Sequence, residues 1–564
     1  MKDWLQETHG TEFELLRHFL LRFFDSDLVT TPGQATPAII GAISVFLPWF
    51  PIMITPLKHK YAYVSSLPSA HAYLRAIRAD ELWLVTLMMS AIGLLTAIKW
   101  RSVFPSLGDY RALAALPLRS YQIFCAKFTA LLIAATMAIL VLDLFPSFLF
   151  PMVSGGRWTM NPSLIARVAA HAIVSAAACY FFFFALVALQ GVLLMLLSRR
   201  LFEQITGAVQ AVLVPAMLVL IVLSFSIQPR VAAKVLEPQI AAWLPPVWFV
   251  GLYQRMLGDP DPGMRALAGR AVLALIIAIL LSLLTYAVAY QRHRSVLVEG
   301  IAISTKKRRW NLHILDWLFP NPRQQAVIAF ILKTLAASSQ HRMILTAYAG
   351  FGLAVLLSGI VGLGAAVGQS KLPAAIFVYA HVVMLAFILV GLRQLFSMPS
   401  EWKANWIFQL AETGSREDWF NAIDRLVLGA GAAGILLLPF PLEYKLLGTR
   451  AIAEVILFAA VGFVCYESVF RSWEKLPFTC SHLPGKTPMW ILALRLYAFL
   501  WLLPLPNLIL LACIYNPVAY FIVLVALIAI GRHLGITRRE YRSQLRLVYE
   551  EAREPAVQTL SLLK

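Results

Sequence analysis

Charge is the scarcest thing in this chain. Of its 564 residues only 14% are Asp, Glu, Lys or Arg, while 60% are hydrophobic. Soluble domains run at about a quarter charged and about half apolar. A soluble globule is excluded, because it has nowhere to put the apolar excess. Cysteine is almost as sparse. Cys125, Cys179, Cys465, Cys480 and Cys513 are scattered, so neither a disulfide framework nor a zinc clip is expected. The period-two alternation of barrel strands is missing, which leaves helices to satisfy the backbone in lipid. There is no HExxH, no GxSxG and no pair of carboxylates on one helical face, so metal-dependent and hydrolytic chemistry have no foothold. Gly485-Lys486-Thr487 resembles only the tail of a phosphate-binding loop. Cys480 stands where the first glycine belongs and no buried strand precedes it, so no nucleotide site and no cofactor is expected in this chain. The N-terminus opens acidic and polar, without the basic residues and short apolar core of a cleaved signal peptide.

What the chain has instead is long apolar runs. A helix of about 20 residues crosses the ~30 Å hydrocarbon core. Twelve candidate runs can be marked, at 36–55, 82–99, 128–150, 165–197, 204–227, 267–290, 344–367, 373–396, 424–440, 451–471, 489–512 and 516–532. The run at 165–197 exceeds one straight crossing and is expected to tilt or project into the cytosol. Residues 11–24 read differently. Thr11 and Glu14 have capping-box spacing, and Phe13, Leu16, Leu20, Phe23 and Phe24 gather mostly on one face, as in a helix lying in the membrane interface.

With the N-terminus inside and the spans alternating, roughly 34 Lys and Arg fall on the cytoplasmic side and roughly 13 outside. The net charge of +19 is thereby assigned to cytoplasmic loops, and nucleic acid is not an expected partner. The exception is the outer loop at 56–81, which holds Lys58, Lys60, Arg75 and Arg78. The expected architecture is an all-α polytopic bundle of about twelve spans, six and six, with both termini cytoplasmic. It comprises an interfacial segment at 1–33, a first half at 34–290, a basic connecting loop at 291–343 carrying Lys306-Lys307-Arg308-Arg309, a second half at 344–532 and a cytosolic tail at 533–564. A faint repeat joins the halves. Pro105-Ser106 and Phe124-x-Ala126 return as Pro399-Ser400 and Phe420-x-Ala422, at offsets of 294 and 296 residues.

Ionisable residues within lipid are costly and are functional candidates by default. The interior set is Asp143, His171, Arg270, His381, Arg393, Glu454, Glu467 and Arg495, of which Asp143, His381, Glu467 and Arg495 are expected to lie deepest. Interhelical hydrogen bonds and ion pairs account for such residues, and so would proton- or sodium-driven transport. A membrane-embedded lipid or glycan transferase would need Asp259 and Asp261, or Glu299. Asp259-Pro260-Asp261-Pro262-Gly263, however, reads as a turn. The glycine runs at 359–364 and 429–434 suggest close helix packing. The outer segment 228–266, with Trp243, Trp248 and Tyr253, is expected to fold back as a loop onto the headgroup layer.

Residues 101–127 form a cytosolic connection containing Ala115-Leu116-Pro117-Leu118-Arg119-Ser120, then Ile123-Phe124 and Ala126-Lys127. This stretch resembles the permease subunits of ABC-2 type transporters. Leu244-Pro245-Pro246-Val247-Trp248 before the sixth span is similar to the same family. Arg323-Gln324-Gln325-Ala326 through Lys333-Thr334-Leu335, Ala404-Asn405-Trp406-Ile407-Phe408 and Pro477-Phe478-Thr479-Cys480-Ser481 resemble a long bacterial subgroup of it. The resemblance implies an exporter of the bacterial cytoplasmic membrane, working by alternating access. A separate ATPase subunit, in two copies, would bind ATP and magnesium and push on cytosolic loops. The coupling residues it implies are Leu116, Pro117, Arg119, Ser120, Phe124 and Lys127 in the first half, and Asn405, Trp406, Phe408 and Phe420 in the second. Family members with six spans pair as dimers. About twelve spans here leave open whether one chain completes the pathway or a second permease copy is needed.

Overall fold

A computed structural model describes residues 10, 12–20, 50–104, 120–225, 229–298, 321–366, 371–398, 417–471, 473, 475–479 and 504–544. Among these, 87% are helical and none is in a strand. Ten helices are long and apolar enough to cross a membrane: Ala70–Ile98, Tyr121–Val153, Leu164–Leu196, Ile205–Ser224, Pro262–Val288, Gln340–Ile360, Leu372–Phe396, Glu417–Leu447, Arg450–Val469 and Pro517–Arg542. Each overlies one of the expected runs. The other two, at 36–55 and 489–512, fall largely outside the described residues. The described helices form two compact units, one within Met1–Thr305 and one within Lys306–Leu483 and Arg495–Lys564.

The first unit contains α1 (residues 12–20), α2 (Leu57–Ser66), α3 (Ala70–Ile98), α4 (Ser120–Val153), α5 (Leu164–Leu196) and α6 (Arg199–Ser224). Three short helices follow, α7 (Pro229–Val235), α8 (Pro238–Ala241) and α9 (Pro245–Met256), and then α10 (Pro262–Val298). α3 is the axis of the unit, buried almost continuously from Ala76 to Gly93. Ser69 caps its start by accepting from the His71 amide. At its far end Gln210 of α6 donates to the Ala97 carbonyl at 3.0 Å, and Gln190 of α5 donates to the Trp100 carbonyl at 2.7 Å. These bonds satisfy carbonyls that the helix itself cannot. The 33 residues of α5 extend ~50 Å at the α-helical rise, well beyond one straight crossing. α10 packs along α5 where a Cβ on Gly191 would stand 2.4 Å from Thr285 Oγ1, so only glycine admits the approach.

From 229 onward the segment expected as a loop at 228–266 is largely helical, and α9 is packed into the unit although Trp243 is 83% exposed. Two prolines at the start of α9 suit the first helical turn. Val247, Phe249, Val250 and Tyr253 of α9 are fully buried, and Val247 and Val250 pack with Ala79, Leu82, Met264 and Leu267. Gly251 permits this seating, since a Cβ there would lie 2.5 Å from Leu267 Cβ.

The second unit contains α11 (Pro322–Ala337), α12 (Ser339–Ala366), α13 (Leu372–Phe396) and α14 (Glu417–Leu426), a π-helical turn at Val427–Ala433, and α15 (Gly434–Leu437). It continues with α16 (Phe440–Leu447), α17 (Arg450–Val469), α18 (Pro504–Tyr515) and α19 (Pro517–Gln544). α12 and α13 interlock through small residues facing rings. Gly359 faces Tyr379, Gly391 faces Tyr348 and Gly352 faces Phe387. The second glycine run behaves differently. Gly431 approaches Leu392, but Gly429 and Gly434 meet nothing within 4 Å, so only part of that run is a packing surface.

Candidate functional site

Two kinds of polar construction stand out, one at the basic end of each bundle and one within it. Of the coupling candidates, Leu116, Pro117, Arg119, Asn405, Trp406 and Phe408 lie outside the described residues, as does Arg495. Ser120 opens α4. Phe124 is buried, with its ring centroid 4.2 Å from that of Tyr286 on α10. Phe104 and Phe128 each lie 4.7 Å from the same Tyr286 ring. The amphipathic helix α1 docks alongside. Its Phe19 is buried with Ile123 and Ala130, and the Lys127 ammonium stands 5.4 Å from the Phe19 ring centroid.

The second unit repeats this plan. α11 is capped by Asn321, has Pro322 at its first position, and presents Val327, Ile328 and Ile331 to Phe420, Ala422 and Ile423 of α14. Asn321 donates to Asp418 at 2.9 Å and Arg425 donates to Gln324 at 3.0 Å. The basic end of α19 clamps the other side. Arg542 lies 4.5 Å over the Phe420 ring and donates to Asp424 at 3.0 Å, and Arg538 donates to Asp424 at 2.9 Å. Tyr466 donates to the same carboxylate. Glu467 belongs here too. It sits near the end of α17 and pairs with Arg538 at 2.8 Å, so it is part of the basic end rather than a deep lone carboxylate.

Within the first bundle, Glu81 of α3 and His171 of α5 are fully buried and 3.0 Å apart. Asp143 of α4 accepts from Ser175 at 2.5 Å and from Ser147 at 2.6 Å, and interacts electrostatically with His171. Around them, Asp80 accepts from Lys60 at 2.6 Å and from Tyr61 at 2.8 Å. Burial, and then the charge of Asp80, push the Tyr61 hydroxyl well above the usual phenol range, so it remains a donor. Tyr253 is raised in the same way by burial and then by Glu81, with Arg167 acting in the opposite direction. Arg167 is buried, and its Nε and Nη1 have no hydrogen-bond partner. Arg78 bridges Asp259 at 2.8 Å and Asp261 at 3.3 Å. Lys60 and Arg78, two of the four cations that disturbed the outer-loop charge pattern, are thus paired with acids. Asp259 and Asp261 are committed to Arg78 and to turn amides.

Within the second bundle, His381 of α13 faces Glu443 of α16 through Nε2 at 3.1 Å and Glu454 of α17 through Nδ1 at 3.6 Å. Neither contact is aligned as a hydrogen bond, and both ring nitrogens and all four carboxylate oxygens are buried without such a partner. The two clusters correspond along the chain. Glu81 lies one residue before the second run and His381 within the eighth, 300 residues apart, and Asp143 and Glu443 are also 300 apart. His171 and Glu454 sit in the fourth and tenth runs. Sequence reasoning found Asp143, His171, His381 and Glu454 singly but missed Glu81 and Glu443, which lie just beyond the apolar stretches. The offsets of the faint repeat, 294 and 296 residues, do not reach them, since they carry His381 to 85–87 and Asp143 to 437–439. Among the described residues no group of three or more His, Cys, Asp or Glu has the geometry to hold a metal ion. Compared with known protein families, with characterised proteins and with solved structures, the chain finds no match.

Proposed function

We propose that this chain is the membrane-spanning permease subunit of an ABC-2 type exporter, driven by a separate ATPase. One observation carries the reading. In each unit an amphipathic helix that precedes the spans packs onto the start of the third- or ninth-span helix, α1 onto Ile123, Ala126 and Ala130, and α11 onto Phe420, Ala422 and Ile423. The resemblance to ABC-2 permeases puts the ATPase contacts at those same places. A push there would act on rigid levers. α4 is 34 residues long, or ~50 Å, and α14 is held between α11 and the arginines of α19. In this reading the bacterial cytoplasmic membrane holds the protein with the arginine-rich end of α19 facing the cytosol. The chain itself performs no catalysis. It would receive ATP-driven motion at its basic end and change access along the bundle.

Affinity purification of the tagged chain in mild detergent, with mass spectrometry and an ATPase assay on the eluate, tests this. A co-purifying soluble ATPase with ATP hydrolysis, lost together with transport when residues 113–124 are scrambled at unchanged expression, supports it. An eluate without a nucleotide-hydrolysing partner sinks it. The second reading is an ion-coupled carrier, favoured by the buried carboxylate–histidine clusters. It predicts flux that follows a proton or sodium gradient without any ATPase.

A further inference from the structure

The two buried clusters match in composition and differ in charge balance. In the first unit Glu81 and Asp143 face His171, and a second basic group, the buried Arg167 guanidinium with Nε and Nη1 unpartnered, acts on the same Tyr253 as Glu81. In the second unit two carboxylates face one imidazole. Even with His381 charged, one negative charge is left over where Glu443 and Glu454 are 0% and His381 is 1% exposed.

Among the described residues no other cation compensates it. Lys371 beside α13, Lys445 on α16 and Arg450 on α17 are all exposed. Lys371 and Arg450 are turned instead onto the Tyr515 ring of α18, at 5.2 and 4.8 Å. The π-helical turn and α15 bring only apolar residues and glycine. α19 brings Tyr520, which donates to the Ala453 carbonyl, and Phe458 of α17 covers the imidazole at 5.0 Å. An isolated charge in such a medium is not retained. It is neutralised by taking up a proton.

We propose that His381, Glu443 and Glu454 form a buried proton-binding relay. The ligand is the hydrogen ion, which needs no cavity. Glu443 lies in the first turn of α16, where the helix dipole favours the ionised form, so the added proton resides on the Glu454 side. His381 touches the two acids through opposite ring nitrogens. A neutral imidazole that carries its proton on Nε2 can accept a proton from Glu454 at Nδ1 and release the Nε2 proton to Glu443, ending neutral with its proton on Nδ1. The site does not depend on the ATPase reading, and its test uses this chain alone.

The test is infrared difference spectroscopy on the full chain in lipid nanodiscs at neutral pH. Wild type minus Glu454→Gln, and wild type minus Glu443→Gln, should each show the carbonyl stretch of one protonated carboxylic acid, moving in deuterium oxide. Either substitution removes the excess charge, so either should abolish the band. Wild type minus Glu467→Gln should show none, because Glu467 is paired with Arg538. Absence of the band from the first two spectra overturns the proposal. Should either glutamine variant fail to fold, Glu454→Asp decides. A band shifted in position supports the relay, and an unshifted spectrum overturns it.

Discussion

Replacing Arg538 with alanine should cost more stability than neutralising the acid it holds. The Arg538 side chain is 6% exposed, lies 2.8 Å from Glu467 and 2.9 Å from Asp424, and covers the Tyr466 ring at 4.7 Å. Asp424 survives the loss, because Arg542 reaches it at 3.0 Å and Tyr466 still donates. Glu467 does not. Its side chain is 3% exposed, and among the described residues no other cation comes within ion-pair distance. Removing one member of a buried pair strands the other at a cost of about 3–5 kcal/mol. Glu467→Gln strands nothing, since Arg538 keeps Asp424, and should cost about 0.5–1.5 kcal/mol. The double variant Arg538→Ala/Glu467→Gln should then recover about 2 kcal/mol relative to Arg538→Ala, within the range of coupling for residues in contact. Thermal unfolding in one detergent, followed by size-exclusion chromatography, should rank wild type, Glu467→Gln, the double variant and Arg538→Ala in falling order. An Arg538→Ala loss no larger than that of Glu467→Gln, or a double variant no better than Arg538→Ala, would refute the argument.

Gly359→Ala should lower stability by about 1–3 kcal/mol, because its Cβ would stand 2.0 Å from the Tyr379 ring, whereas Gly434→Ala, with nothing within 4 Å, should not. Fluorescence-detected melting of the two variants reads this directly, and equal melting temperatures would contradict the packing. Single-cysteine reporters at the exposed Lys445 and Arg539 test orientation. A membrane-impermeant maleimide should label position 445 from outside and position 539 only after permeabilisation, and the reverse pattern would invert the topology.

The helices were legible because lipid imposes a simple demand, about 20 apolar residues without interruption. Ten of the expected runs coincide with helices on that basis. The ends of the helices were not legible, for a physical reason. Hydropathy treats a charge as wet, yet Asp80 and Glu81, which ended the second run at 82, lie inside a helix that begins at Ala70. They are hidden by Lys60, Tyr61 and His171, which are protein rather than water. Glu443 was lost in the same way, three residues past the ninth run. α9 was misread as a surface loop because its tryptophan and tyrosine have the composition of interfacial anchors. Only the tertiary contacts with Ala79 and Leu267 show that it is core. The Phe-x-Ala stretches at 124–126 and 420–422 were visible in the sequence only as a faint repeat, and both phenylalanines are buried. Pairing across helices follows no sequence period. Nothing local tells Glu467 apart from Glu454, although one lies against an arginine and the other against a histidine shared with a second acid.

That difference in partners carries a last prediction. Glu81→Gln removes the acid 3.0 Å from His171, where the buried Arg167 acts on the same Tyr253, so it leaves cations in excess and should destabilise the protein by about 1–3 kcal/mol. Glu454→Gln removes an acid from a cluster with one acid too many and breaks only an unaligned 3.6 Å contact. Replacing buried charge by neutral groups of similar volume is often neutral or stabilising, so this change should cost about 0 kcal/mol or raise stability slightly. The two substitutions are chemically identical, and both positions are fully buried in helix. Helix propensity and desolvation of the amide therefore cancel in the comparison. Chemical unfolding of both variants in the same detergent isolates charge balance. Equal losses would mean that the carboxylates of the second unit are balanced by a cation the charge count omits, and the proton would then have no reason to be there.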